Sequence, residues 1–120
     1  AIGVKVGPEI LSGSTRLKAG TAQKMILNMI STTVMVKLGK VYQNMMVDVK
    51  SNNKKLMQRA CRIVMKLGEV NMNEATNLLL KTDNQIKTAI LMAKLGLTLE
   101  SANKRLESVG GYLDQILEDS

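Results

Sequence analysis

The stretch from Thr21 to Leu38 restricts this chain more than any other. Read as a helix, it carries Met25, Ile26, Leu27, Met29, Ile30, Val34, Met35, Val36 and Leu38 around most of its circumference. Only Thr21, Lys24, Asn28, Ser31 and Thr32 form a narrow polar stripe. A helix that is apolar on nearly every side has to be covered on several sides, by a sheet and by another helix or subunit. The chain has 120 residues, and little in the remainder could provide that cover. Further protein around this helix is therefore expected, and the helix is expected to be an association surface. Ala1 in place of an initiating Met fits a piece of a longer protein or a processed chain.

The segments on either side read more simply. Ile2, Val4 and Val6 alternate, the pattern of a short strand, and Gly7-Pro8 stops it. Gly39 is a natural stop for the apolar helix. Val41 to Val49 reads as an extended connection with Asp48 inside it. A second helix is expected from Ser51 or Asn52, both good N-caps, to Gly68. Leu56, Ala60, Ile63, Val64 and Leu67 make its apolar stripe, and Lys55, Arg59, Arg62 and Lys66 make a basic one at i, i+4, i+7 and i+11. After Gly68 the chain repeats itself at an offset of 27 residues, Asn73–Ile90 on Glu100–Leu117. Ala75 falls on Ala102, Leu79 on Leu106, Ile86 on Leu113 and Ile90 on Leu117, while Asp83-Asn84 falls on Gly110-Gly111. Each unit reads as helix, tight turn, helix. Asn73 and Thr98 are the expected N-caps, and Gly96 closes the first unit. Two such hairpins can bury their apolar faces against each other, in the manner of small three-helix ubiquitin-associated modules.

Charge divides the chain at the same place. Up to Gly68 twelve cations face only Glu9 and Asp48; after it five cations face eight anions. The first part is suited to meeting an anion, with a solvated basic surface as the bland alternative. The chain has no His, so a zinc site built on imidazole or a Ser-His-Asp triad has no place in it. No cofactor and no metal are called for. Cys61 is the lone cysteine, no internal disulfide can form, and a reducing, cytoplasmic compartment is expected. Apolar runs are broken by Lys or Asn, so no membrane span or signal peptide is read.

The block Gly7–Lys24, GPEILSGSTRLKAGTAQK, is the one most suited to chemistry. It reads as a strand end, a loop of small residues and a helix N-terminus, where backbone N–H groups and the helix dipole favour an anion. Ser12, Ser14, Thr15 and Thr21 add hydroxyls; Arg16, Lys18 and Lys24 add charge. A loop that merely caps a helix is the competing reading.

This block resembles the signature shared by the N-acetylmuramic acid 6-phosphate etherases and the animal glucokinase regulatory protein. The resemblance continues through TAQKMILNMIST, LGKVYQNMMVDV, the N-x-K-L opening at Asn53–Leu56 and RACRIVM at Arg59–Met65, and is looser after Gly68. The etherases are the nearer of the two. The resemblance implies a mainly α chain. Residues 1–68 would be the last strand and helices of an α/β sugar isomerase-type domain, and residues 69–120 a small helical-hairpin module.

It also implies a carbon–oxygen lyase that cleaves the D-lactyl ether of N-acetylmuramic acid 6-phosphate, yielding N-acetylglucosamine 6-phosphate and D-lactate in cell-wall sugar recycling. The carboxylates of such a reaction are expected upstream, so the chain alone is expected to be inactive. Lys55 and Arg59 are the leading substrate ligands, acting in their own or a neighbouring subunit of a homodimer. Ser14, Thr15, Arg16, Lys18 and Lys24 of the small-residue block accompany them. Glu9 is included as the acidic residue beside the motif, with no match that makes it the base.

Two other functions compete: a sugar-phosphate-sensing regulator like the glucokinase regulatory protein, and a basic nucleic-acid-binding helical module. The acidic balance after Gly68, and the presence of only Tyr42 and Tyr112 as residues able to stack on bases, weigh against the nucleic-acid reading.

Overall fold

A computed structural model describes residues 1–49 and 53–118. It is mainly helical with one small sheet, in the order α1 (Lys18–Lys37), β1 (Val41–Tyr42), β2 (Met45–Met46), α2 (Lys54–Gly68), α3 (Met72–Lys81), α4 (Ile86–Leu95), α5 (Leu99–Ser108) and α6 (Asp114–Leu117). The chain forms two compact units, Ala1–Lys37 and Leu38–Ser120.

The first unit is α1 and the segment before it. The alternation Ile2–Val6 does not form the expected strand; no strand is present among the described residues of this unit. A strand exists only where a neighbour pairs its N–H and C=O groups, and a pattern of side chains cannot provide one. Helix α1 begins at Lys18, three residues before the expected start at Thr21. The reason is a cap supplied from a distance. The Glu9 carboxylate accepts from Lys18 N at 3.1 Å and from Ala19 N at 2.9 Å, satisfying two of the four amide groups a helix start leaves open. No residue of α1 is buried. Met25, Leu27, Met29, Ile30, Val34 and Val36 are all exposed and Ile26 and Met35 are half-buried, so the unit covers little of the all-round apolar surface.

The second unit holds the core. Its first part is a hairpin where an extended connection was expected: Val41 pairs with Met46 and Tyr42 with Met45 across the turn Gln43-Asn44. Val47 follows the hairpin and is buried against the helices. Gly39, at φ 64, turns the chain out of α1, and a Cβ there would meet the Gly111 carbonyl oxygen and the Tyr112 ring at 3.3 Å. The position therefore needs glycine for conformation and for space.

Helix α2 places its stripes as its spacing requires: Ala60, Ile63, Val64 and Leu67 are buried, and Leu56 is half-buried. The expected caps Ser51 and Asn52 lie outside the described residues. The observed cap is Asn53, whose Oδ1 accepts from Leu56 N at 2.9 Å. Helix α2 packs on α3 and α4, so the contacts join it to the helices that follow Gly68. Gly68 permits this packing, because a Cβ there would lie 2.6 Å from the Cβ of Ala93 on α4.

The 27-residue repeat survives in backbone detail. Asp83 and Asn84 both have positive φ, and so do Gly110 and Gly111. Asn84 N donates to Leu79 O at 2.8 Å, and Gly111 N donates to Leu106 O at the same distance. Ala75 and Ala102 are both fully buried, and Ile86 and Leu113 are each 2% exposed. Thr98 caps α5 through Ser101 N, and Gly96 ends α4 at φ 63, both as expected. Helix α3 begins earlier than expected: Asn71, not Asn73, is its cap, with Oδ1 accepting from Glu74 N at 3.0 Å. Each fully buried Leu or Ile of this core contributes about 1.5–3 kcal/mol from burial alone.

Candidate functional site

The residues singled out for anion binding fall in both units. In the first, Gly13 at φ 82 folds the loop so that Ser14 N donates to Leu11 O. Ser14 Oγ accepts from Arg16 N at 3.4 Å and is the half-buried member of the set; Thr15, Arg16, Lys18 and Lys24 are exposed. The Lys18 ammonium donates to Pro8 O at 3.0 Å. The helix start that was expected to receive an external anion receives Glu9. The Ala19 and Lys18 N–H groups hold its carboxyl below the ordinary value of 4.5, with the Lys18 charge adding to the effect. Glu9 thus acts here as a fixed anion at a helix N-terminus, a role the sequence could not assign because nine residues separate it from Lys18.

In the second unit, Lys55 and Arg59 are exposed on α2, and Arg62 and Lys66 continue their row. At about 100° per residue the four share an arc of about 60°. The buried stripe of Ala60, Ile63, Val64 and Leu67 lies on another face. Helix α2 contains no acidic residue. Among the described residues no ion pair involves any of the four; Lys40 pairs with Asp48 at 3.5 Å and Lys94 with Glu69 at 2.9 Å elsewhere in the unit. Lys54 is exposed too, but a single residue step turns it about 100° from Lys55.

A cleft of about 550 Å³ that the motifs did not single out lies beside the start of α4, with Asp48, Asp83, Asn84, Gln85, Lys87 and Thr88 among its polar walls. Burial lowers the Lys87 ammonium from its ordinary value, with nearby Asp48 opposing that effect and Lys40 adding to it. Lys87 Nζ donates to Gly111 O at 2.8 Å, so it ties the turn of the second repeat to α4. The only signal in the sequence was that one repeat makes its turn with Asp-Asn and the other with Gly-Gly. Among the described residues no group of three or more Cys, Asp or Glu is placed to hold a metal ion, and no helix is long and apolar enough to cross a membrane.

A basic helix face without an ion pair, on a small helical unit, is suited to meeting an anion. Residues 43–88, which run from the hairpin turn and β2 through α2 and α3 to the start of α4, match the C-terminal lid domain of glucokinase regulatory protein. The chain is also similar, at 56% identity over 117 residues, to the N-acetylmuramic acid 6-phosphate etherase of Pectobacterium atrosepticum, and at 56% over 118 residues to those of Salmonella schwarzengrund and Salmonella typhi. These matches take in 98% of this chain and 39–40% of the relatives, so the chain spans about two fifths of their length. They bear out the resemblance first carried by Gly7–Lys24 and RACRIVM.

Proposed function

We propose that this chain is the C-terminal part of an N-acetylmuramic acid 6-phosphate etherase. One observation carries the reading: 56% identity, sustained over 98% of the chain, to proteins that bear that name. On this reading the whole protein is a carbon–oxygen lyase that removes D-lactate from the sugar phosphate, within cell-wall sugar recycling in the cytoplasm. Residues 1–68 would complete a sugar isomerase-type domain whose sheet and dimer partner cover α1. Residues 69–120 would belong to a helical module of the ubiquitin-associated kind, which shares its core with α2.

Abstraction of a proton beside the carbonyl of the opened sugar needs a carboxylate of suitable basicity. Glu9 is held ionised and already bonded to two amide groups, which suits it to organising the loop rather than to taking up a proton. The acid and base are assigned to the part of the protein outside this chain. The chain itself contributes charge: Lys55 and Arg59 hold the phosphate, and Ser14, Thr15, Arg16, Lys18 and Lys24 line the approach to α1. The lid match supports a second reading, a sugar-phosphate sensor without turnover, since residues 43–88 are the part it matches.

Lactate release decides between them. The 120-residue chain alone is expected to release none from N-acetylmuramic acid 6-phosphate. The same chain, spliced into the Pectobacterium atrosepticum etherase in place of the stretch it matches, is expected to restore turnover. In that hybrid Lys55→Ala or Arg59→Ala should lower kcat/KM by about ten- to a hundredfold, the loss of one charge-assisted contact. Lys54→Ala should leave it unchanged. A folded hybrid that binds the sugar phosphate without releasing lactate would favour the sensor.

A further inference from the structure

Lys55, Arg59, Arg62 and Lys66 form a longer row than one phosphate requires. It runs about 16 Å along α2 at 1.5 Å per residue. Neighbours in the row are like charges at i+4, i+3 and i+4, an arrangement that destabilises a helix. All four are exposed, α2 has no acid, and no ion pair among the described residues relieves them. The row therefore costs this unit stability and returns nothing to its packing.

Two positions in the row, Lys55 and Arg62, differ in chemistry and in place along the helix. Lys55 stands in the first turn of α2, where the helix carries its positive end and no acidic side chain opposes it. That end suits the more highly charged group of a ligand. Arg62 stands about 10 Å further along. Its planar fork matches a carboxylate through two parallel hydrogen bonds, which an ammonium cannot do.

Resting on the etherase reading, we propose that Arg62, backed by Lys66, is a specificity-determining residue that binds the lactyl carboxylate of the substrate while Lys55 and Arg59 hold its phosphate. The substrate carries both anions on separate parts of the sugar. The product N-acetylglucosamine 6-phosphate keeps only the phosphate. A row that grips both groups holds the substrate and loosens on the product.

The test uses the hybrid etherase described above, with two readings for each variant: kcat/KM for N-acetylmuramic acid 6-phosphate, and the inhibition constant of N-acetylglucosamine 6-phosphate. Arg62→Ala is expected to lower kcat/KM by about ten- to a hundredfold and leave the inhibition constant unchanged, because a carboxylate contact alone is lost. Arg62→Lys should recover part of the loss, since it keeps the charge without the fork. Lys55→Ala should weaken both substrate use and product inhibition. If Arg62→Ala weakens both by the same factor, Arg62 is a phosphate ligand and the proposal falls. If it changes neither, the row is solvated at that end and the proposal falls as well. Lack of turnover in a folded hybrid that carries all four cations would overturn the etherase reading instead.

Discussion

Helices α1 and α2 are built from similar proportions of apolar residue and end in opposite states. Helix α1, Lys18–Lys37, buries none of its 20 residues, while α2, Lys54–Gly68, buries six of its 15. The difference is arrangement. In α2 the apolar positions gather on one side, so two helices, α3 and α4, suffice to cover them. In α1 they go around the axis, so no single neighbour can. Apolar content says how much surface a helix must hide; periodicity says whether one small unit can hide it. The same contrast appears in the caps. Helix α2 is started by its own neighbour Asn53, whereas α1 is started by Glu9 across a loop.

The largest effect expected from this contrast is in the core. Leu79→Ala, at a fully buried position, should cost about 2–5 kcal/mol and lower the Tm of the second unit, whereas Leu27→Ala, at 59% exposure, should stay within about 0.5 kcal/mol. Thermal unfolding of both variants checks this. Equal losses would mean that α1 is covered in solution, and the protection of Met29 from oxidation would then locate the cover.

A smaller effect is expected where α2 meets α4. Gly68→Ala brings a methyl group to 2.6 Å from Ala93 Cβ and should destabilise by about 1–3 kcal/mol from overpacking, partly offset by about 1 kcal/mol of helix propensity. Adding Ala93→Gly should recover much of the loss. Denaturant unfolding of the two single variants and the double variant measures the coupling, and additive losses would mean that the helices do not approach this closely.

The smallest effect concerns Glu9. Its folded-state value lies below 4.5, so its contribution is present at pH above the unfolded value and is lost as pH falls through the lower folded value. The amide resonances of Lys18 and Ala19 should shift, and the first turn of α1 should fray, on acidification to below pH 4.5. Glu9→Gln should abolish that titration and leave the Asn53 cap of α2 untouched. Persistence of the titration in Glu9→Gln would assign it to another group.

The elements that could be read in advance are those whose cause is local. The basic and apolar stripes of α2, the Thr98 cap, the Gly96 stop and each turn of the repeat depend on residues within a single helix or turn. The repeat is the clearest instance. Leu79 and Leu106 recur in the chain, and the hydrogen bonds from Asn84 and Gly111 recur with them, because each helix–turn–helix is closed by its own backbone. The start of α3 was expected at Asn73, and the cap is Asn71, two residues earlier, a residue type equally suited to the role.

For the candidate site, the identity and spacing of Lys55, Arg59, Arg62 and Lys66 were set by the sequence alone, since a helix turns a spacing directly into a face. The resemblance carried by Gly7–Lys24 and RACRIVM was also in the residues themselves. Only the tertiary structure decided that the start of α1 is occupied by Glu9, that Val47 belongs to the core, that Lys87 reaches Gly111, and that Gly68 marks a close crossing of two helices. It likewise decided that Ile2–Val6 forms no strand. Each of these depends on a contact between residues far apart in the chain, and alternation, charge and propensity are properties of neighbours. A strand partner, a distant cap and a helix crossing exist only once the chain has folded and the entropy of bringing those residues together has been overcome.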